Sequence, residues 1–283
     1  MTGINRFLAV FMSVIINLFV ALDIPIHAIG PKVNMNQFEL VWSDEFDGTE
    51  LDRSVWHSDG YTDEGTLHTG LGYYSNMKMA VVEDGLLKIK LEYMEDGLDG
   101  GPAGWYSSGL CTKNGGYEQT YGYFEIRCKI CPSPGAISDF WMNSDNALLG
   151  DTGCSNGVEI DIMESQKSGL NDGVKNIIEH NIHYNGAAHR QKLHAKAFLV
   201  NGDMRREFHT YGVEWNEEGY VFYIDGKMSY KTSFGVSNSP EYLCVGLYLR
   251  GNGTDGVPTP IFDGKNSVYE VDYIRAYQYK DKI

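Results

Sequence analysis

The feature that most constrains this chain is its period-two rhythm. LLKIKLEY (86–93), GYFEIRCKI (122–130), GVEIDIM (157–163), NIIEHNIHY (176–184), YVFYIDGKMSYKT (220–232) and SVYEVDYIRAYQY (267–279) alternate polar with apolar residues or run on as β-branched and aromatic residues. Such runs fit a pleated strand with one buried face. No stretch carries the rhythm of a three-turn amphipathic helix. Gly, Asn and Asp clusters separate the runs, and Asp225-Gly226 is the preferred pair for a tight primed hairpin turn. Many short antiparallel strands with Gly-rich turns predict an all-β sandwich or barrel. There is no internal repeat and no Pro/Ser tract, and 283 residues at 42% hydrophobic content suffice for one large core.

Residues 7–22, FLAVFMSVIINLFVAL, form an apolar run after Arg6, with Ala28 as a small residue suited to cleavage. This predicts a signal peptide over 1–28 and a secreted domain over 29–283, with no membrane attachment after cleavage. An uncleaved amino-terminal anchor is the alternative, although the run is short for a spanning helix. The net charge is −15, from 23 basic and 38 acidic side chains. That field repels phosphate backbones, so nucleic acid is excluded as a partner; a neutral substrate, or a cation held by carboxylates, suits it. Of the five cysteines, Cys128 and Cys131 have zinc-like spacing but lack a second matching pair, so neither metal nor redox chemistry is expected there.

Residues 57–79 and 132–157 read as long irregular segments, rich in aromatic and polar residues, of the kind that line a site. Directly after the second comes NGVEIDIMES (156–165), with Glu159, Asp161 and Glu164 crowded together. Val158, Ile160 and Ile162 alternate with the first two acids, which predicts an apolar face inward and the acids outward. Strict alternation would then bury Glu164, at high cost for a carboxylate. A one-residue bulge at Ile162–Met163 resets the phase and puts all three acids on one face. Four effective strand steps separate the Glu159 and Glu164 Cα atoms by about 13 Å. Side chains leaning together then bring the carboxyls to about 5–6 Å, the gap of a retaining glycosidase. Asp161 between them can share a proton with Glu159 and raise the pKa of Glu164. A solvated acidic face is the bland alternative, and the mutual repulsion of the acids argues against it.

Aromatic faces bind sugar rings by stacking. Trp141 and Asn143 in DFWMN (139–143), Trp105 beside Tyr106, and Tyr73 beside Tyr74 are the candidates, against core packing as the ordinary role. His183 alternates away from Ile182 and Tyr184, and a polar contact to sugar or acid is expected of it. His180, His189 and His194 fit no closed zinc pattern and are expected to be ordinary surface residues.

With these residues the chain resembles glycoside hydrolase family 16. EIDIME is similar to that family's E-I/L-D-x-x-E signature in the bulged form of laminarinases, agarases and carrageenases. VWSDEFDGTELDRSVW (41–56), SSGLCTKNGGYEQTYGYFEIRCKI (107–130), YGVEW with FYIDG (211–226) and VYEVDYIRAYQ (268–278) extend the likeness along nearly the whole chain. The resemblance implies a β-jelly-roll of two curved antiparallel sheets, of the concanavalin A-like glucanase type, and retaining hydrolysis of internal β-linkages. It implies Glu159 as nucleophile, Asp161 as assisting acid and Glu164 as acid/base. It also implies a structural Ca²⁺ at Glu45 (through its backbone oxygen), Gly85 and Asp272, a hard cation suited to oxygen ligands. Laminarinases carry W-P-A-F-W where this chain has AISDFWMN, and a W-P run where it has TGCSNG. The leading expectation from the resemblance is a monomeric endo-β-glycanase with a polysaccharide partner, acting on β-1,3- or mixed-linked glucan, while these differing loop residues keep other polysaccharides open. Galactan cleavage or transglycosylation, and a noncatalytic lectin, are the alternatives.

Overall fold

The computed structural model describes residues 24–58, 77–133, 135–144, 157–165, 176–184, 191–199, 201–249 and 267–283, together with 67–68, 72–75, Leu18, Leu22 and Cys154. The apolar run over 7–22, save Leu18 and Leu22, lies outside the described residues, as do His189 and parts of the long segments 57–79 and 132–157. Among the described residues no helix is long and apolar enough to cross a membrane.

The period-two runs form two eight-stranded sheets packed face to face, the sandwich expected. One sheet holds β1 (Ile26–His27), β9 (Gly109–Cys111), β10 (Glu118–Gln119), β12 (Ala136–Asn143), β13 (Glu159–Ser165), β14 (Ile177–Tyr184), β15 (Gln191–Phe198) and β19 (Glu241–Leu249). Its order is β1-β15-β14-β13-β12-β19-β10, with β9 also on β19. The other holds β2 (Phe38–Asp44), β5 (Ala80–Glu83), β6 (Leu86–Lys90), β11 (Gly122–Lys129), β16 (His209–Asn216), β17 (Gly219–Ile224), β18 (Lys227–Thr232) and β20 (Val268–Tyr279). Its order is β18-β17-β16-β11-β20-β6-β5, with β2 also on β20. A smaller third sheet joins β3 (Leu67–His68), β4 (Gly72–Tyr74), β7 (Glu92–Met94) and β8 (Gly104–Ser107).

Between the large sheets, Ile160, Ile162, Ile182, Phe140 and Leu243 from one meet Phe124, Val213, Trp215, Phe222 and Ile274 from the other, all fully buried. Each such side chain contributes about 1.5–3 kcal/mol of burial, which holds the first sheet flat against the second. The Asp225-Gly226 turn is as expected: both residues have positive φ, 50° and 68°, and Ile224 pairs directly with Lys227.

One expectation needs correcting. The segment 132–157 is not irregular throughout, because residues 136–143 form β12, a central strand of the first sheet. Neighbours cover both of its faces, so seven of its eight residues are buried and no in-out alternation of burial marks it. At the amino terminus, Ile26 and His27 pair with β15 and Ala28 is buried.

Candidate active site

The phase break in EIDIME is a bulge. From Asp161 to Glu164 on β13 the partner strand β14 advances only from Asn181 to Glu179, so His180 alone opposes both Ile162 and Met163. On the other side, β12 pairs Phe140 with Met163 and Trp141 with Asp161, which leaves Ile162 unpaired. Both extra side chains are fully buried, and Glu164 returns to the face of Glu159 and Asp161.

A bulge strands a carbonyl, and here the neighbouring strand satisfies it. His180 Nδ1–H donates to the Ile162 oxygen at 2.7 Å, which leaves Nε2 to accept from the Ser229 hydroxyl at 2.9 Å. The ring lies on Phe222 of the opposite sheet, centroids 4.5 Å apart. Burial pushes its pKa down to about 4, so it stays neutral. His180 is thus a core residue that pins the bulge, not the surface histidine expected.

The outward face of the first sheet is a polar row. Glu159 stands opposite His183, whose Nε2 lies 4.0 Å from Glu159 Oε1 and 3.4 Å from Asp161 Oδ2. Asn181 Nδ2 donates to Glu164 Oε2 at 2.5 Å, and the Tyr248 hydroxyl donates to Glu164 Oε1 at 3.1 Å. Asp139, buried on β12, stands opposite Glu164. Burial first, then the charge of Asp161, pushes Glu159 up to about 8, partly offset by His183. Asp161 is likewise raised well above its ordinary value, by burial first and then by Glu164, Asp139 and Glu179. So many carboxylates cannot all ionise together at neutral pH. The Asp161 side chain is 7% exposed against 23% for that of Glu159, so the retained proton sits best on Asp161 and Glu159 is left able to ionise.

Of the other expected residues, Trp141 is half-buried directly opposite Asp161, and Asn143 lies two residues along on the same face, its Oδ1 accepting from the Ser144 N–H. Trp105 and Tyr73 belong to the third sheet, where Trp105 meets Tyr93 edge-on and Tyr73 stacks on buried Tyr106. The contacts that join the acids come from β12, β14 and β19 instead. His194, expected at an ordinary surface position, reaches into this network through Asn181. Asp139, Tyr248 and Glu241 escaped the sequence reading. Glu241 is fully buried and accepts from Val158 N–H at 3.0 Å and the Ser237 hydroxyl at 2.6 Å, fixing the backbone one residue ahead of Glu159. The signal available for Asp139 and Asn181 was register: each is in phase with an outward neighbour on its own strand.

The calcium positions converge by topology. Along one edge of β20, β6 pairs with residues 268–271 and β2 with 274–279, so the edge at Asp272 is left between them. Gly85, at φ +71° in the β5–β6 turn, and Glu45, directly after β2, flank that gap. Arg275 holds the Glu45 carboxylate bidentately, at 2.9 and 2.8 Å, which leaves its backbone oxygen for a cation. Arg127 engages the Asp272 carboxylate. The carboxylate of Asp272 is therefore already neutralised by Arg127. Burial raises Cys128 to about 12 and Cys131 to about 11, as inert thiols.

A family model described as Beta-porphyranase A-D, GH16 domain, matches residues 38–279. The chain belongs to glycoside hydrolase family 16. A glucan endo-1,3-beta-glucosidase A1 of Niallia circulans is 29% identical over 264 residues, covering 84% of this chain and 38% of that protein. A beta-glucanase of Rhodothermus marinus is 27% identical over 257 residues, 86% of each. The catalytic domain of an endo-1,3-beta-glucanase (laminarinase) from Thermotoga petrophila superimposes with a TM-score of 0.66 at 25% identity, covering 86% of this chain and 98% of that one. The chain thus spans well under half of the Niallia protein and most of the other two.

Proposed function

We propose that this chain is an endo-acting, retaining β-glycanase with Glu159 as nucleophile and Glu164 as general acid/base. The observation that carries the reading is the bulge, which sets two glutamates on one outward face with Asp161 between them. In the first half-reaction, the Glu159 carboxylate attacks the anomeric carbon while Glu164 gives its proton to the departing glycosidic oxygen. In the second, Glu164 takes a proton from water, and that water releases the sugar from Glu159. Asp161 holds its proton toward Glu159 and so orients the nucleophile. Trp141, beside Asp161, offers a ring for stacking, and His183 a polar contact at the same point. Export through the apolar run over 7–22 would bring such an enzyme to its polymer.

A β-1,3- or mixed-linked β-glucan is the substrate that the names of the Niallia and Rhodothermus relatives support. A β-galactan is the second reading, favoured by the porphyranase description of the matching family model. Reducing-end release from laminarin, lichenan, agarose, carrageenan and porphyran separates them. Release by the wild type and its loss in Glu159→Ala is the expected pair of results. Binding without release by the wild type would turn the reading to a lectin.

A structural Ca²⁺ between Glu45, Gly85 and Asp272 completes the proposal. Occupancy in millimolar Ca²⁺ would raise the melting temperature by several degrees over EDTA, since saturation at 100 times Kd is worth about 2.7 kcal/mol. Identical melting in the two buffers would remove calcium from this account.

A further inference from the structure

Asn181 is almost wholly buried, and the strand register puts it in one row between Asp161 on β13 and His194 on β15. Its amide has a donor end and an acceptor end, and the structure uses both. The Nδ2 end faces the acids: it donates to Glu164 Oε2 at 2.5 Å and also hydrogen-bonds the Asp161 carboxyl. The Oδ1 end lies 2.6 Å from His194 Nδ1. An amide oxygen only accepts, so Nδ1 must carry the hydrogen. The other ring nitrogen of His194 lies 3.3 Å from Glu179 Oε1, a carboxylate on β14.

We infer that His194 and Asn181 are positioning residues that decide which oxygen of Glu164 carries the transferable proton. This rests on the acid/base role proposed for Glu164 above. A flipped amide would aim Oδ1 at two carboxyl groups, and the Nδ1–H of His194 prevents that flip. With an N–H directed at Oε2, the acid form of Glu164 holds its proton on Oε1. There the Tyr248 hydroxyl, 3.1 Å away, accepts from the protonated form and donates to the anion. In glycosylation the Oε1–H bond breaks as the leaving oxygen gains the proton; in deglycosylation Oε1 takes one back from water. When the ring carries both protons, its Nε2–H donates to Glu179 and keeps the imidazole turned so that Nδ1 stays on the amide. His194 acts through Asn181 and touches no substrate.

Two measurements test this. The first compares the polymer cut in the panel above with the 2,4-dinitrophenyl glycoside of its disaccharide, whose leaving group departs without a proton. His194→Ala and Asn181→Ala are expected to lose about 10–100-fold in kcat on the polymer, within the range that general acid catalysis supplies. On the aryl glycoside their initial bond cleavage should stay within about threefold of the wild type, since no proton is then needed. His194→Asn, which keeps an N–H near the Nδ1 position, should recover most of the loss. Equal losses on both substrates would mean a merely structural role and overturn the inference. Glu164→Ala is the reference: if it shows no leaving-group dependence, the acid/base assignment itself is wrong. The second measurement needs no substrate. Nitrogen-15 shifts of the full chain should show His194 protonated at Nδ1 throughout, including when the ring is neutral. An Nε2–H tautomer would require the flipped amide and sink the proposal.

Discussion

Glu159→Gln is expected to cost on the order of 10⁴-fold or more in polymer cleavage while raising the melting temperature near pH 8. Glutamine keeps the shape of the side chain and removes the nucleophilic oxygen anion. It also removes a charge that the folded state resists. Burial, then Asp161, lifts the Glu159 carboxyl from its ordinary 4.5 to about 8. The unfolded chain therefore gives up its carboxyl protons near pH 4.5, while the folded Glu159–Asp161 pair retains one, placed on Asp161, until about pH 8. Folding stability falls as pH rises through that window, and the full penalty is present above it. At pH 4 both forms are protonated and the variant gains almost nothing. At pH 8 the gain is about 2 kcal/mol after allowing for partial exposure and coupling to Asp161. That corresponds to roughly 4 °C for a chain of this size. Thermal melts of both proteins at pH 4 and pH 8 check it. A variant melting no higher than the wild type at pH 8 would mean that the acidic row carries no such strain.

The second large effect falls on a residue that touches no acid. His180→Ala is expected to lower stability by about 3–5 kcal/mol near pH 7.5, from the cavity beneath Phe222 and two polar groups left unpaired. Those groups are the Ile162 carbonyl and the Ser229 hydroxyl. The linkage runs opposite to that of Glu159. The pKa of His180 is lowered from 6.5 to about 4, so its neutral form supports the fold above pH 6.5. As pH falls from 6.5 toward 4 the unfolded chain takes up a proton that the folded one refuses, and about 3 kcal/mol is lost. The deficit of the alanine variant should therefore shrink between pH 7.5 and pH 5 in urea unfolding. A deficit of equal size at both values would contradict the buried, neutral state. Because the ring anchors the bulge, the same variant should also misplace Glu164 and lose activity.

Some of this was legible in the residues and some was not. The bulge could be read because a carboxylate is costly to bury in an apolar core, so EIDIME admits few arrangements that keep all three acids off the core face. The Asp225-Gly226 turn could be read because positive φ at two successive positions selects those residues. β12 was hidden: with neighbours on both faces, its Ile137, Phe140, Trp141 and Met142 show no clean alternation. His180 resembled a surface residue because its partner Ser229 is 49 positions away. For the same reason Tyr248 could not be assigned to Glu164, from which 84 positions separate it. Neither pairing leaves a local pattern.

By itself, the sequence determined the class of fold, the face on which Glu159, Asp161 and Glu164 stand, and the place where the strand must break phase. These follow from local alternation and from the cost of burying charge, which act within a few residues. Only the tertiary structure decided what surrounds the acids: His180 beneath the bulge, Asp139 and Trp141 on one side, and Asn181 with His194 on the other. Strand order and register bring those residues together. Both depend on how distant segments pair, a choice made by the packing of two whole sheets and not by any one of them.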